Sequence, residues 1–160
     1  MAQDIFIKFD GIEGESQDST HTGEIEVLNW DWSVGQTSNM HSGSGGGAGK
    51  CTVEDLHFEH YIDKSSSNLL QYCLTGKHIP EAVLTMRKAG GSPLEYLHIT
   101  LQEILITGVH PVYCNTMRAP REAVSLTFSR VTMDYVLQNA EGNTAGTVSS
   151  GYDIKANTVI

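Results

Sequence analysis

The sequence predicts a mainly β fold, either a small closed barrel or a tightly coiled sandwich, with one short helix. Three observations carry this reading. Apolar and polar residues alternate with period two in one stretch after another. Several of these stretches reverse their apolar face partway along, so that the inside of one sheet becomes the corner of another. Only one segment has helical spacing. The chain has 160 residues, of which 39% are hydrophobic and 18% charged, the balance of a folded domain. One domain spanning residues 1–160 is expected, since two would each lack a sufficient core.

In the first strand, Gln3 to Phe9, Ile5, Ile7 and Phe9 share one face and Phe6 and Lys8 the other. In Glu24 to Val34 the phase changes: Ile25 and Val27 precede Leu28, Trp30, Trp32 and Val34, which predicts a bulge or bend near Val27–Leu28. The two tryptophans are therefore expected in the core, with Asn29, Asp31 and Ser33 facing water or a wet cavity. Cys51 to Tyr61 shifts in the same way, from Cys51 and Val53 to Leu56 and Phe58. Ala82–Lys88 and Leu94–Gly108 read as a hairpin joined through Ala89–Pro93. Glu122 to Leu137 moves from Val124, Leu126 and Phe128 to Val131, Met133 and Tyr135. Gly151 to Ala156 is a last short strand, and Asn139 to Ser150 reads as a loop.

The helix is expected over about residues 66–75. Ser65, Ser66, Ser67 and Asn68 offer capping groups, Leu69, Leu70, Cys73 and Leu74 form an apolar stripe, and Gly76 sits at the C′ position. Two or three turns are marginal alone in water, so this helix must pack on the sheet.

The run Ser42-Gly-Ser-Gly-Gly-Gly-Ala-Gly-Lys50 raises the question of a phosphate-binding loop. A Walker loop needs G-x-x-x-x-G-K-[ST] opening a helix. Aligned on Gly49 and Lys50, its first glycine falls on Ser44 and its magnesium-binding hydroxyl on Cys51, and a strand follows. Two fixed positions and the context fail, so the nucleotide site is rejected. What remains is a long connection over about residues 35–50, with Met40 and His41 as residues worth burying: a flexible linker or a partner-binding arm.

Ten basic residues against nineteen acidic ones give −9, with no basic cluster, so a nucleic-acid partner is not expected. Self-association must overcome this repulsion through packing or local charge complementarity. Cys51, Cys73 and Cys114 are odd in number and lack CxxC spacing, which argues against a disulfide framework. Cys73 reads as core, and Cys114 lies in a loop with no placed base, so neither is a nucleophile. His57 and His60 are three apart on a strand and point to opposite faces, which does not suit a zinc site. Glu13, Glu15 and Asp18 form an acidic loop without calcium-loop spacing. No catalytic, cofactor-binding or metal site is expected. The N-terminus, MAQDIFIKFDG, reads as neither a signal peptide nor a membrane anchor, so no membrane insertion is expected.

Six collinear blocks give the sequence a family likeness: DIFIKFDGIEGES, EIEVLNWDWSV, MHSGSGGGAGK, HYIDKSSSNLLQYCLTGKHIPEAVLTMRKAGG, LEYLHITLQEILI and GYDIKANTVI. The chain resembles the Hcp family, the haemolysin-coregulated proteins of bacterial type VI secretion systems. The resemblance implies a compact β-barrel of two sheets with one helix at its side. It implies homohexameric rings that stack into a hollow tube, inside contractile sheath proteins and beneath a VgrG-type spike. It also implies effector proteins carried and chaperoned in the lumen, and release from the bacterial cytoplasm to the medium without a signal peptide. The stacking loop would then comprise Gln36, Met40, His41, Ser42, Gly43, Ser44, Gly45, Gly46, Gly47, Gly49 and Lys50. Asn29, Asp31 and Ser33 become a candidate lumen or cargo face.

One segment departs from the family. Where many members have a Gly/Ser-rich loop, this chain reads GVHPVYCNTMRAPREA. Tyr113, Cys114, Arg118 and Arg121 mark it as a candidate second docking loop, toward the next ring, a sheath protein or cargo. In an oxidising medium, Cys51 and Cys114 are candidates to cross-link stacked rings. The competing reading is a ring-shaped effector chaperone or adaptor with little stacking. An enzyme is not expected, and neither is a fused toxic domain after GYDIKANTVI.

Overall fold

The computed structural model describes residues 3–38, 48–89 and 93–160. In chain order the elements are β1 (Gln3–Phe9), β2 (Ile25–Glu26), β3 (Asn29–Asp31), β4 (Val34–Ser38), β5 (Ala48–Val53), β6 (Leu56–Tyr61), α1 (Ser65–Thr75), β7 (Ile79–Lys88), β8 (Leu94–Val112), β9 (Arg121–Gln138), β10 (Thr144–Asp153) and β11 (Thr158–Val159). The expected mainly β fold with one short helix is what forms.

Its division into sheets differs from the expectation. Nine strands share one hydrogen-bonded network, and β4 and β5 make a separate two-stranded ribbon. The network runs β11-β10-β9-β8-β7-β1-β2, with β3 on β6 and β6 on β9. Strand β9 is the pivot. Its first half, Arg121 to Leu126, pairs with β6, and its second half, Arg130 to Gln138, pairs with β10. Along its other edge it pairs with β8 almost throughout. The phase reversal read between Phe128 and Val131 is the point at which this strand changes partners.

Residues 25–31 make a similar change. Ile25 and Glu26 pair with β1, and Asn29 to Asp31 pair with β6. Between them Val27 N donates to Ile5 O at 2.9 Å and Leu28 N donates to Glu59 O at 2.8 Å. The network therefore curls back toward its start through a strand that switches partner, and not through one continuous closing ladder.

Inside this curl lie Ile7, Phe9, Leu56, Phe58, Ile79, Leu84, Ile99, Leu101, Ile104, Val124 and Leu126, all buried. Each such side chain contributes about 1.5–3 kcal/mol on burial. Phe6 is also buried although it points away from Ile7, because the His21 ring stacks on it at 4.4 Å.

Four expectations need correction. The connection over 35–50 is not all loop: its two ends are β4 and β5, paired Val34 to Val53, Gly35 to Thr52 and Gln36 to Cys51. Residues 144–150 are strand, because β10 pairs along β9 from Thr144 onward. Leu28 and Val34 are exposed at 38% and 54%, while Trp30 and Trp32 are half-buried against the core. Val34 already belongs to the ribbon, which leaves the core. The helix stripe is split as well. Leu69 is buried, with Tyr72 and Cys73 packed behind it, whereas Leu70 and Leu74 are exposed.

The N-terminus of α1 is satisfied by a residue outside the serine run. Asp63 Oδ1 accepts from Ser65 N at 2.8 Å and from Ser65 Oγ at 2.5 Å, while Ser66 Oγ accepts from Asp63 N at 3.1 Å. At the other end Gly76, with φ of 67°, donates to Tyr72 O at 3.0 Å, the left-handed C-terminal stop that glycine adopts without strain.

Candidate functional site

Strand register sets out one exposed polar face. Asn29 stands opposite Glu59, Glu59 opposite Ala123, and Ala123 opposite His110. Next to that row, Asp31 stands opposite His57, His57 opposite Ser125, and Ser125 opposite Gly108. Asn29 Nδ2 donates to Glu59 Oε2 at 2.9 Å, and Thr107 Oγ1 donates to Asp55 Oδ2 at 2.7 Å. Asn29, Asp31 and Ser33 are all exposed, as their alternation with Trp30 and Trp32 requires.

The two ends of this face differ in chemistry. At one end Tyr61, Arg121 and Val112 are directly opposite across β6, β9 and β8. The Arg121 guanidinium lies 5.6 Å from the centre of the Tyr61 ring. Beyond it the β8–β9 hairpin turns through residues 113–120. Tyr113 is 66% exposed, and Cys114 and Arg118 are exposed too. Thr116 Oγ1 sits 3.0 Å from Cys114 Sγ, and that hydrogen bonding draws the thiol below its usual range.

At the other end the chain leaves β3 and enters the ribbon. Gln36, Gly49 and Lys50 lie on its two strands, whereas Met40, His41, Ser42, Gly43, Ser44, Gly45, Gly46 and Gly47 lie outside the described residues. Two cavities flank the ribbon base and share Trp32 as a wall. One, of about 440 Å³, is lined by Val34, Cys51, Val53, Tyr152 and Ile154. The other, of about 530 Å³, is lined by Asp31, Ser33, Glu54, Asp55 and His57. Trp32 is held in place by its Nε1–H, which donates to Glu54 O at 2.9 Å, and by an edge contact with Phe128 at 5.6 Å.

The acidic loop before β2 is pinned and not merely solvated. Arg87 Nη1 and Nη2 donate to Asp18 at 3.0 and 2.5 Å, and Nη2 also donates to Asp4 at 2.9 Å. The hydrogen bonds from Arg87 hold the Asp18 carboxyl well below the usual carboxylate range. His21 bridges Glu24 at 2.8 Å and Glu95 at 3.2 Å.

The two strand histidines divide as their spacing demands: His57 is exposed and His60 is 1% exposed. His60 Nε2 lies 2.7 Å from Glu122 Oε1, and Glu122 is itself 3% exposed. This buried pair was not anticipated. Its signal was present, since His60 shares its phase with Leu56 and Phe58, and Glu122 with Val124 and Leu126. Among the described residues, no group of three His, Cys, Asp or Glu is placed to hold a metal ion, and no helix is long and apolar enough to cross a membrane. The arrangement is suited to recognition: a polar face, an aromatic and cationic end, and an apolar and acidic end.

Comparison with known proteins agrees across the chain. Residues 6–135 match the family described as "Type VI secretion system effector, Hcp". The sequence is 48% identical over 159 residues to protein hcp1 of Pseudomonas aeruginosa, covering 98% of each chain. The fold is similar to the crystal structure of Hcp1 from Salmonella typhimurium, with TM-score 0.81, 47% identity and full coverage of both chains. It is also similar to a type VI secretion system effector from Yersinia pestis, with TM-score 0.79 and 44% identity over 94% of this chain and 99% of that one.

Proposed function

Because this chain belongs to the Hcp family of type VI secretion proteins, we propose that it is the repeating subunit of the secretion tube: six copies form a ring, rings stack, and a contracting sheath expels them beneath a VgrG-type spike. The observation that carries this reading is likeness over nearly the full length of a family relative at 48% identity. The exposed polar face of Asn29, Asp31, Glu59 and His57 is the candidate lumen surface for effector proteins. Its short and mixed side chains suit a cargo held loosely enough to be released.

A head-to-tail contact around a rotation axis closes into a ring, whereas a heterologous contact along the axis need not close and builds a tube. The ribbon β4–β5 projects from the core at one end of the face and supplies such an axial arm. The test is export. In cells with an intact type VI apparatus, the chain is expected in the culture medium, and inactivating the sheath should confine it to the cells. Equal amounts in the medium with and without sheath would refute expulsion by contraction.

A further inference from the structure

Strand register places two unlike surfaces at opposite ends of β6. Tyr61 pairs with Arg121 at the hairpin end, and five residues back along β6 Leu56 pairs with Leu126 at the ribbon end. At about 3.3 Å per residue, roughly 17 Å of strand separates them. The hairpin tip, residues 113–121, contains two arginines and no carboxylate. Its exposed large hydrophobic side chain is Tyr113, at 66%. The ribbon end has the converse: an apolar cleft beside an acidic one, with Trp32 between them. The two clefts contain three carboxylates, Asp31, Glu54 and Asp55, against the single cation Lys50.

We propose that the Tyr113–Arg121 hairpin is the other half of the axial contact: it docks on the ribbon base of a second copy of this chain, with Tyr113 in the apolar cleft and Arg118 facing the carboxylates. This rests on the reading of the chain as a stacking subunit and names the surface that receives each ring. Three observations support a second copy as the occupant. The two surfaces are complementary in charge within a chain whose net charge is −9, where any self-contact must find local opposite charges. They lie at opposite ends of β6, so a contact between them is head-to-tail and, repeated along one direction, stacks copies without limit. The apolar cleft, about 440 Å³, is large enough to admit an aromatic ring.

Charge exchange tests this directly. Arg118→Glu alters an exposed loop residue and should leave ring mass unchanged. On negative-stain grids it should reduce the fraction of rings found in stacks by about tenfold, the effect of roughly 1.4 kcal/mol on each ring–ring interface. Glu54→Arg alone should do the same. The double variant restores the opposite-sign pair and should recover stacking. A native cysteine pair gives a second readout, because Cys51 lines the cleft and Cys114 follows Tyr113. Diamide, which takes two electrons and two protons as the disulfide forms, should link stacked copies through Cys51 and Cys114. Cys51→Ser or Cys114→Ser should abolish the product and Cys73→Ser should not. If wild-type rings stack and neither Arg118→Glu nor Glu54→Arg changes that, this inference is wrong while the tube reading stands. If wild-type rings never stack, both fail.

Discussion

Replacing Glu122 by alanine should lower the unfolding free energy by about 1–3 kcal/mol, the cost of leaving a buried hydrogen-bonding group without its partner. That is a large share of the roughly 5–15 kcal/mol of a typical domain. Glu122 and His60 face each other across β6 and β9 at 2.7 Å, at 3% and 1% exposure. His60 Nδ1 has no hydrogen-bond partner among the described residues, and Asp63 Oδ1 is 3.9 Å from it. Without Glu122 both ring nitrogens would be buried and unsatisfied, and an unsatisfied buried group costs its full desolvation penalty. The pair also lies where β6 hands the chain to α1, whose first turn Asp63 holds. Glu122→Gln keeps an acceptor and should cost less. Changing both residues to leucine removes the polar pair altogether and should come near to neutral. Urea unfolding of the three variants measures this, and an unchanged midpoint for Glu122→Ala would show that the pair carries no stability.

Deleting residues 43–46, which lie in sequence between β4 and β5, should leave rings of normal mass and remove most stacking, reducing stacked rings by about tenfold. The stem of the ribbon is held by its own ladder, Val34 to Val53 and Gln36 to Cys51. It departs from the core beyond Trp32, and no strand of the nine-stranded network pairs with it. A segment so attached can change length without disturbing the fold. Counting rings per assembly on grids gives the answer. Stacks of normal length would show that the axial contact does not need residues 43–46.

The sequence made the phase reversals legible, and the structure shows what they mean physically. Val27–Leu28 and Phe128–Val131 are the places where a strand exchanges one neighbour for another. Strand β10 was illegible because Thr144 to Ser150 is exposed along its length, so no alternation marks it, and small residues with two glycines nearby resemble a loop. The ribbon was hidden for a similar reason. Its two strands pack on each other more than on a core, and residues 42–47 between them are all glycine or serine. On the helix, Leu70 and Leu74 were read as core because spacing shows which residues travel together and not which of them the sheet can cover. The His60–Glu122 pair needed the register of β6 on β9, which brings together residues 62 positions apart. The candidate surfaces were readable as segments. That they occupy opposite ends of β6 was not, because only the strand pairing fixes it.

The central claim is that this chain is a ring-forming tube subunit, and its mass in solution tests that most directly. Light scattering after size exclusion should give about six times the 17.5 kDa of the chain, with larger stacked species at high concentration. Negative-stain images of the peak should show annular particles. A clean 17.5 kDa monomer at high concentration would contradict the account.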